Sequence, residues 1–416
     1  MNIFHPISIS LSPNTERDDI LLAFGLLFYP WKWRKGFAIE DLEKRFTDYL
    51  GLKYTLSFNS GRSAFLAILK SLNLEPGSEV LLQAFTCNAA ANPIIWAEFN
   101  PVYVDCREDT FNIDVNDLEK KITSRSRVLV VQHTFGLPAE MDRILEIARK
   151  HNLILIEDCA HSLGAEYHNK RAGTFGDVAF FSFSRDKIIS SVYGGMVATN
   201  DGPLAERIRG YRESIDYPSR FWIFQQLLHP ILMNWLILPT YNFLFLGRTI
   251  LIFSQWFRVL SKAVHRKEKK GKKPPYFPAR MPNALAYLAL NQFDKLGRFN
   301  DYREELADFY FNDLKEFPFG LPQVPADVKH AFLRFTIKHP RAYEIIRRAW
   351  RKNLLIGDWY ISPVAPYDTK LDKLKYEPGS CPKAEKLAQI TFNLPTHINI
   401  SSKEARKVAN FLKDFR

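Results

Sequence analysis

One stretch constrains this chain more than any other: Leu153 to Gly195, reading LILIEDCAHSLGAEYHNKRAGTFGDVAFFSFSRDKIISSVYGG. Its apolar opening, Leu153 to Ile156, reads as a buried parallel strand that runs into an acidic pair, Glu157 and Asp158. Open α/β sheets place their ligands at such carboxyl ends. A second short strand is expected over Val178 to Phe183, followed by Ser184-Arg185-Asp186 and then Lys187. An Asp at a strand end is often an N-cap or ion-pair partner, and a Lys after a strand is commonly a solvated charge. Those ordinary roles stand beside a chemical one.

The chemical reading is the pairing used with pyridoxal phosphate (PLP), where a Lys forms a Schiff base and an Asp keeps the pyridine nitrogen protonated. The surrounding residues favour it. EDCAHSLGAEY, GDVAFFSFSRDK and GGMVATND, in that order, resemble the sugar aminotransferases of the DegT/DnrJ/StrS family, which have the PLP-dependent transferase fold type I. The resemblance implies that Lys187 is the Schiff-base lysine and Asp158 the pyridine-nitrogen partner. It further implies that His161 is a ring neighbour near the cofactor hydroxyl and Ser182 a phosphate ligand.

A second junction points the same way. After a helix ending at Gly51 and a short strand over Tyr54 to Ser57, Asn59-Ser60-Gly61-Arg62-Ser63 opens an amphipathic helix, so backbone N–H groups converge where an anion fits. An ordinary Ser/Gly cap is the plain alternative. The family commonly has NSGTAAL here and seats its PLP phosphate in this loop, which makes Gly61, Arg62 and Ser63 cofactor-binding candidates. From Glu75 onward strands and helices alternate (EVLLQ, a helix over Asn88 to Trp96, PVYVD, RVLVVQH, AEMDRILEIARKH), which predicts a mainly parallel sheet. In the family an aromatic side chain usually covers one ring face. Cys87 falls nearest that position, with Phe85 two residues away as the candidate cover or as core. His133 and Gly136 align with the family's next strand end, where His133 is expected to shape the pocket.

The expected architecture is α/β: a large domain with a mainly parallel sheet and a small α+β C-terminal domain. The boundaries read as 1–215 for an N-terminal arm and the PLP-binding domain, 216–275 for an apolar then basic insertion, 276–325 for an interface segment and linking helix, and 326–416 for the small domain. From Phe221 to Gly247 there is no formally charged residue, and seven Lys/Arg then crowd the run from Lys262 to Lys273. Polar residues and prolines interrupt the apolar part too often for a spanning helix. Two readings survive: apolar helices packed on a partner subunit or over the active site, or a monotopic patch on anionic lipid through 221–273. FPARMPNALAYLALNQF resumes the resemblance, but Pro278 stands where the family commonly supplies an Asn across the dimer interface.

Lys and Arg number 57 against 45 Asp and Glu, a formal charge of +12 that suits acidic partners. No nucleic-acid-binding signature accompanies it, so a nucleic-acid-binding regulator is disfavoured. Four scattered cysteines without ligand spacing predict a reducing compartment and no metal site. MNIFHPISIS lacks the features of a signal peptide, so the expected location is cytoplasmic, with membrane association as the variant. The resemblance implies transfer of an amino group from an amino acid, L-glutamate, to a nucleotide-linked keto sugar for amino-sugar or surface-polysaccharide biosynthesis, by a homodimer. The family's dehydrating branch carries His in place of Lys187 and is disfavoured. A PLP-binding pseudoenzyme or regulator at a membrane surface is the alternative from another class.

Overall fold

The computed structural model describes residues 5–415, so the first four residues of the N-terminal stretch lie outside it. Seven strands form the central sheet: β1 Tyr54–Phe58, β2 Glu79–Gln83, β3 Asn100–Val104, β4 Ser126–Gln132, β5 Ile154–Asp158, β6 Val178–Ser182 and β7 Gly195–Thr199. Their order is β1-β7-β6-β5-β4-β2-β3; β7 alone runs antiparallel to its neighbours β6 and β1. The strand interiors are largely apolar because both faces are covered. Val80, Leu82, Val130, Ile156 and Phe180 enter one core, while Leu81, Leu129 and Leu155 enter another on the opposite face.

Helices α1 Arg17–Leu27 and α2 Phe37–Leu50 precede the sheet. Leu42, Phe46 and Leu50 are buried as their spacing predicts, and Gly51, at φ 68°, closes α2 in the left-handed conformation that glycine adopts without strain. Helices α3 Gly61–Ser71, α4 Asn88–Trp96, α5 Val115–Lys121 and α6 Met141–Lys150 alternate with the strands, and α7 Gly202–Ser214 follows β7. β5 starts one residue later than expected and continues through both acids. Glu157 pairs with Val131 and Ala179, and Asp158 with Gln132 and Phe180, so the ladder fixes their side chains on opposite faces.

The insertion divides in two. α8 Arg220–Leu232 packs against α1 and the later α10 Asn283–Phe293, burying Trp222, Ile223 and Leu227. α9 Leu246–Trp256 rests on Met233, Ile237 and Leu260 and buries only Gly247 completely, so α8 packs within its own chain whereas α9 keeps an apolar row exposed. No helix among the described residues is long and apolar enough to cross a membrane. Beyond α10, α11 Leu296–Leu314 leads to an antiparallel pair, β8 Phe335–Lys338 with β9 Thr391–Leu394. Helices α12 Ala342–Arg351, α13 Pro382–Ile390 and α14 Ser402–Leu412 complete this part. Ile345, Val408 and Leu412 share a core with Tyr310 of α11.

The start of β7 passes so close to the β1–α3 junction that a Cβ on Gly195 would lie 2.4 Å from the Ser60 carbonyl carbon and 2.5 Å from the Gly61 nitrogen. Gly195→Ala should therefore lower stability by about 1–3 kcal/mol. Gly210→Ala, in α7 with nothing within 4 Å of the added carbon, should raise it by about 0.5–1 kcal/mol. Urea unfolding midpoints of the two variants check this.

Candidate active site

The carboxyl ends of β1, β5 and β6 meet in one pocket, and the alternation along β5 divides its two acids between separate tasks. Glu157 accepts hydrogen bonds from the N–H groups of Gly173 (2.8 Å), Phe175 (2.6 Å) and Gly176 (2.8 Å), and its other contact is His133 Nε2 at 3.0 Å. Burial opposes its charge, but His133 and these N–H groups hold its pKa below the usual carboxylate range. With both oxygens so used, the His133–Glu157–Cys159 cluster braces the strand end. Asp158 faces the pocket. Its Oδ1 accepts from Ala160 N–H at 3.0 Å, yet burial raises its pKa to about 6 against that bond and the charge of Lys187.

Lys187 projects from the turn after β6, and burial pulls its pKa down although Asp186, Cys87 and Asp158 oppose the shift. A buried amine with a lowered pKa is the form in which lysine acts as a nucleophile. Nζ lies 4.9 Å from the ring centroid of Trp359. The Arg334 guanidinium sits 3.4 Å from the same centroid, paired with Asp186 at 3.3 Å, and the His161 ring stacks at 5.6 Å. His161 Nδ1 accepts from Phe135 N–H at 3.3 Å, which assigns the ring proton to Nε2. Burial, with the charges of Lys187 and Arg334, keeps that imidazole neutral by driving its pKa well below the ordinary value.

The third corner is an anion cradle. Gly61 opens α3 and lies so close to Ser182 that a Cβ there would be 2.9 Å from the serine Cβ. Ser60 caps the helix by accepting from Ser63 N–H at 3.1 Å, and the Ser63 hydroxyl donates to Asn59 Oδ1 at 2.6 Å. Arg62 reaches into a buried ion pair with Glu268 and donates to the Ala263 carbonyl, so its charge is already matched. Arg185 is different. Its Nη2 donates to Ser261 Oγ at 2.5 Å and its guanidinium lies over the Tyr193 ring, but Nε is buried without a partner. A buried, unsatisfied guanidinium N–H beside Gly61 and Ser182 fits an anionic group.

Of the residues expected from sequence, Gly61, Arg62, Asp158, His161, Ser182 and Lys187 line one pocket, with Cys87 beside them. Ser63 and Phe85 do not. The Ser63 hydroxyl is spent on Asn59 Oδ1, and Phe85 stacks on Phe111 at 5.5 Å and meets Tyr360 edge-on within the core. Pro278 lies in the segment that borders Asn59, whose N–H donates to the Ala279 carbonyl at 3.0 Å. Sequence reasoning missed Arg185, Arg334, Trp359 and Tyr360. The aromatic pair in GDWYISPVAP was the one available signal.

The sequence model of the DegT/DnrJ/EryC1/StrS aminotransferase family matches residues 27–223 and 252–413. GDP-perosamine synthase of Caulobacter vibrioides is 40% identical over 208 residues, which is 50% of this chain and 55% of that enzyme. The chain thus spans just over half the length of that relative in the match. UDP-N-acetyl-3-dehydro-alpha-D-glucosamine 3-aminotransferase of Acidithiobacillus ferrooxidans is 26% identical over 398 residues, covering 95% of this chain and 94% of its own. The crystal structure of S. venezuelae DesV in complex with a ketimine intermediate superposes with a TM-score of 0.74 at 25% identity, covering 96% of this chain and 94% of DesV.

The two ion pairs of the basic segment separate buried from exposed electrostatics. Glu268→Gln leaves Arg62 buried without a counter-charge and should lower stability by about 3–5 kcal/mol, whereas Lys269→Gln, which breaks the exposed pair with Asp368, should change it by less than about 1 kcal/mol. Thermal unfolding of both variants reads the contrast.

Proposed function

Because the chain belongs to the DegT/DnrJ/EryC1/StrS aminotransferase family, we propose that it is a PLP-dependent enzyme moving an amino group from L-glutamate to a nucleotide-linked keto sugar. The observation that carries this reading is the meeting of Lys187, Asp158 and the unsatisfied Arg185 in one buried pocket. When bound, PLP supplies an aldehyde that takes up an amine and a cationic ring that draws electrons from the substrate carbon. Lys187 anchors that aldehyde and, once displaced by the donor amine, carries the proton at Nζ between the two carbons. Asp158 holds the proton on the ring nitrogen. His161, neutral with its proton at Nε2, donates toward the ring hydroxyl, and Gly61, Ser182 and Arg185 hold the phosphate.

Trp359, between Arg334 and His161, closes the pocket from the small-domain side and excludes water. The cations Arg185 and Arg334 suit anionic reactants, a dicarboxylic amino acid in the first half-reaction and a sugar diphosphate in the second. Two half-reactions through one site make the kinetics ping-pong. The exposed row Leu21, Phe24 and Phe28 of α1, continued by Trp31, supports a homodimer through that face. Four free cysteines, three of them buried, suit the reducing cytoplasm.

Lys187→Ala should abolish amino transfer from L-glutamate to a keto sugar, because anchor and proton carrier vanish together. Turnover retained in that variant would overturn the assignment. Asp158→Asn should split stability from activity. The folded carboxyl has a pKa of about 6 against an ordinary 3.8, so its charge destabilises the cofactor-free fold, and stability is lost as pH rises between those values. The variant should therefore gain up to about 3 kcal/mol at pH 7 without cofactor while losing about a hundredfold or more in turnover. Urea unfolding of the cofactor-free protein from pH 4 to 7, beside steady-state kinetics, tests both halves.

A further inference from the structure

Residues 224–251 fall between the two parts of the family match, and they lead into an exposed apolar surface. The turn before α9 presents Phe243, Leu244 and Phe245, with Leu244 81% exposed. On α9 the outward positions Thr249, Ile252, Phe253 and Trp256 recur at helical spacing; Trp256 is 71% exposed and Phe257 follows it. The opposite side of the helix is seated firmly. A Cβ on Gly247 would lie 2.2 Å from the Ile237 carbonyl oxygen, and Ile250 and Leu251 pack on Met233, Ile237 and Leu260. The apolar row is thus fixed outward by close contact beneath it.

Charge decides what such a face can meet. From Tyr217 to Lys267 the chain holds no Asp or Glu, while Arg258, Lys262, Arg266, Lys267 and Lys270 are exposed in the residues that follow the row. Glu268, the acid that ends this run, is fully buried against Arg62 and offers nothing outward. A second copy seated isologously on this face would set cations against cations, with no carboxylate from the segment between them. An anionic bilayer meets both demands, because aromatic and aliphatic side chains enter the headgroup boundary and the flanking cations meet lipid phosphates.

We propose that α9 and the Phe243–Phe245 turn dock the protein on an anionic membrane as a monotopic contact. The contact is joined to the catalytic pocket by a short strap. Ser261 binds Arg185, the Lys262 carbonyl accepts from Tyr193 at 2.7 Å, Ala263 and Val264 line the pocket, and Glu268 holds Arg62. The bilayer-facing helix therefore continues directly into one wall of the active site.

The test uses the cofactor-loaded protein with sedimenting vesicles of phosphatidylcholine, with and without phosphatidylglycerol. Binding should be about tenfold or more stronger to the anionic vesicles and should fall with added salt. The double variant Leu244→Glu/Trp256→Glu should lose vesicle binding while keeping its cofactor absorbance, soluble-substrate turnover and oligomeric mass; Lys267→Glu/Lys270→Glu should lose the preference for anionic lipid. Wild-type protein remaining in the supernatant with both vesicles at low salt overturns the proposal, as does unchanged binding by the apolar double variant. A drop in oligomeric mass in that variant also overturns it and assigns the face to a second copy.

Discussion

The site depends on a geometric constraint of parallel sheets: strands that point the same way deliver their carboxyl ends to one edge, and alternate residues there face opposite sides. At the end of β5 this puts Glu157 into a saturated network beneath the sheet and Asp158 into the pocket. Asp158 is left buried with the Ala160 N–H as its donor, in a pocket shared with a buried amine, an unpartnered guanidinium N–H and a neutral imidazole. Burial pushes this carboxyl up and the Lys187 amine down, although each charge opposes the shift of the other. When bound, the cofactor would offer a cationic ring nitrogen to Asp158 and a phosphate to Arg185.

Arg62 shows how a departure from the family pattern is absorbed. A long cation where small residues are common would compete for the phosphate corner, but Glu268 neutralises it from the far end of the insertion. The helix N-terminus stays available through its backbone, while Arg62 becomes the anchor of the strap that carries Ala263 and Val264 over the pocket. One buried ion pair thereby ties the start of α3 to the basic run that follows α9. Its removal leaves a charge that cannot be resolvated, so the pair specifies the position of the strap more than it adds net stability.

Much of this was legible in sequence because the chemistry lies close together along the chain. Asp158, His161, Ser182 and Lys187 all fall within one stretch, and β/α alternation with apolar strands is the signature of a sheet covered on both faces. The parts that escaped arrive from far away. Arg334 and Trp359 come from beyond α11, and only the tertiary fold sets them on Lys187 and His161. Ser63 and Phe85 were plausible by position, but local competition decided them: Asn59 claimed the hydroxyl and an aromatic cluster claimed the ring. In the insertion, composition marked apolarity but not direction. The fold alone distinguishes α8, which is buried against α1, from α9, whose apolar row faces out.

The most direct test of the account is to reduce the PLP-loaded protein with borohydride and locate the pyridoxyl group by peptide mass spectrometry. The geometry predicts a single modified peptide carrying the group on Lys187, lost when L-glutamate is added before reduction. A pyridoxyl group on any other lysine, or protection by no amino donor, would contradict the assignment of this pocket to amino transfer.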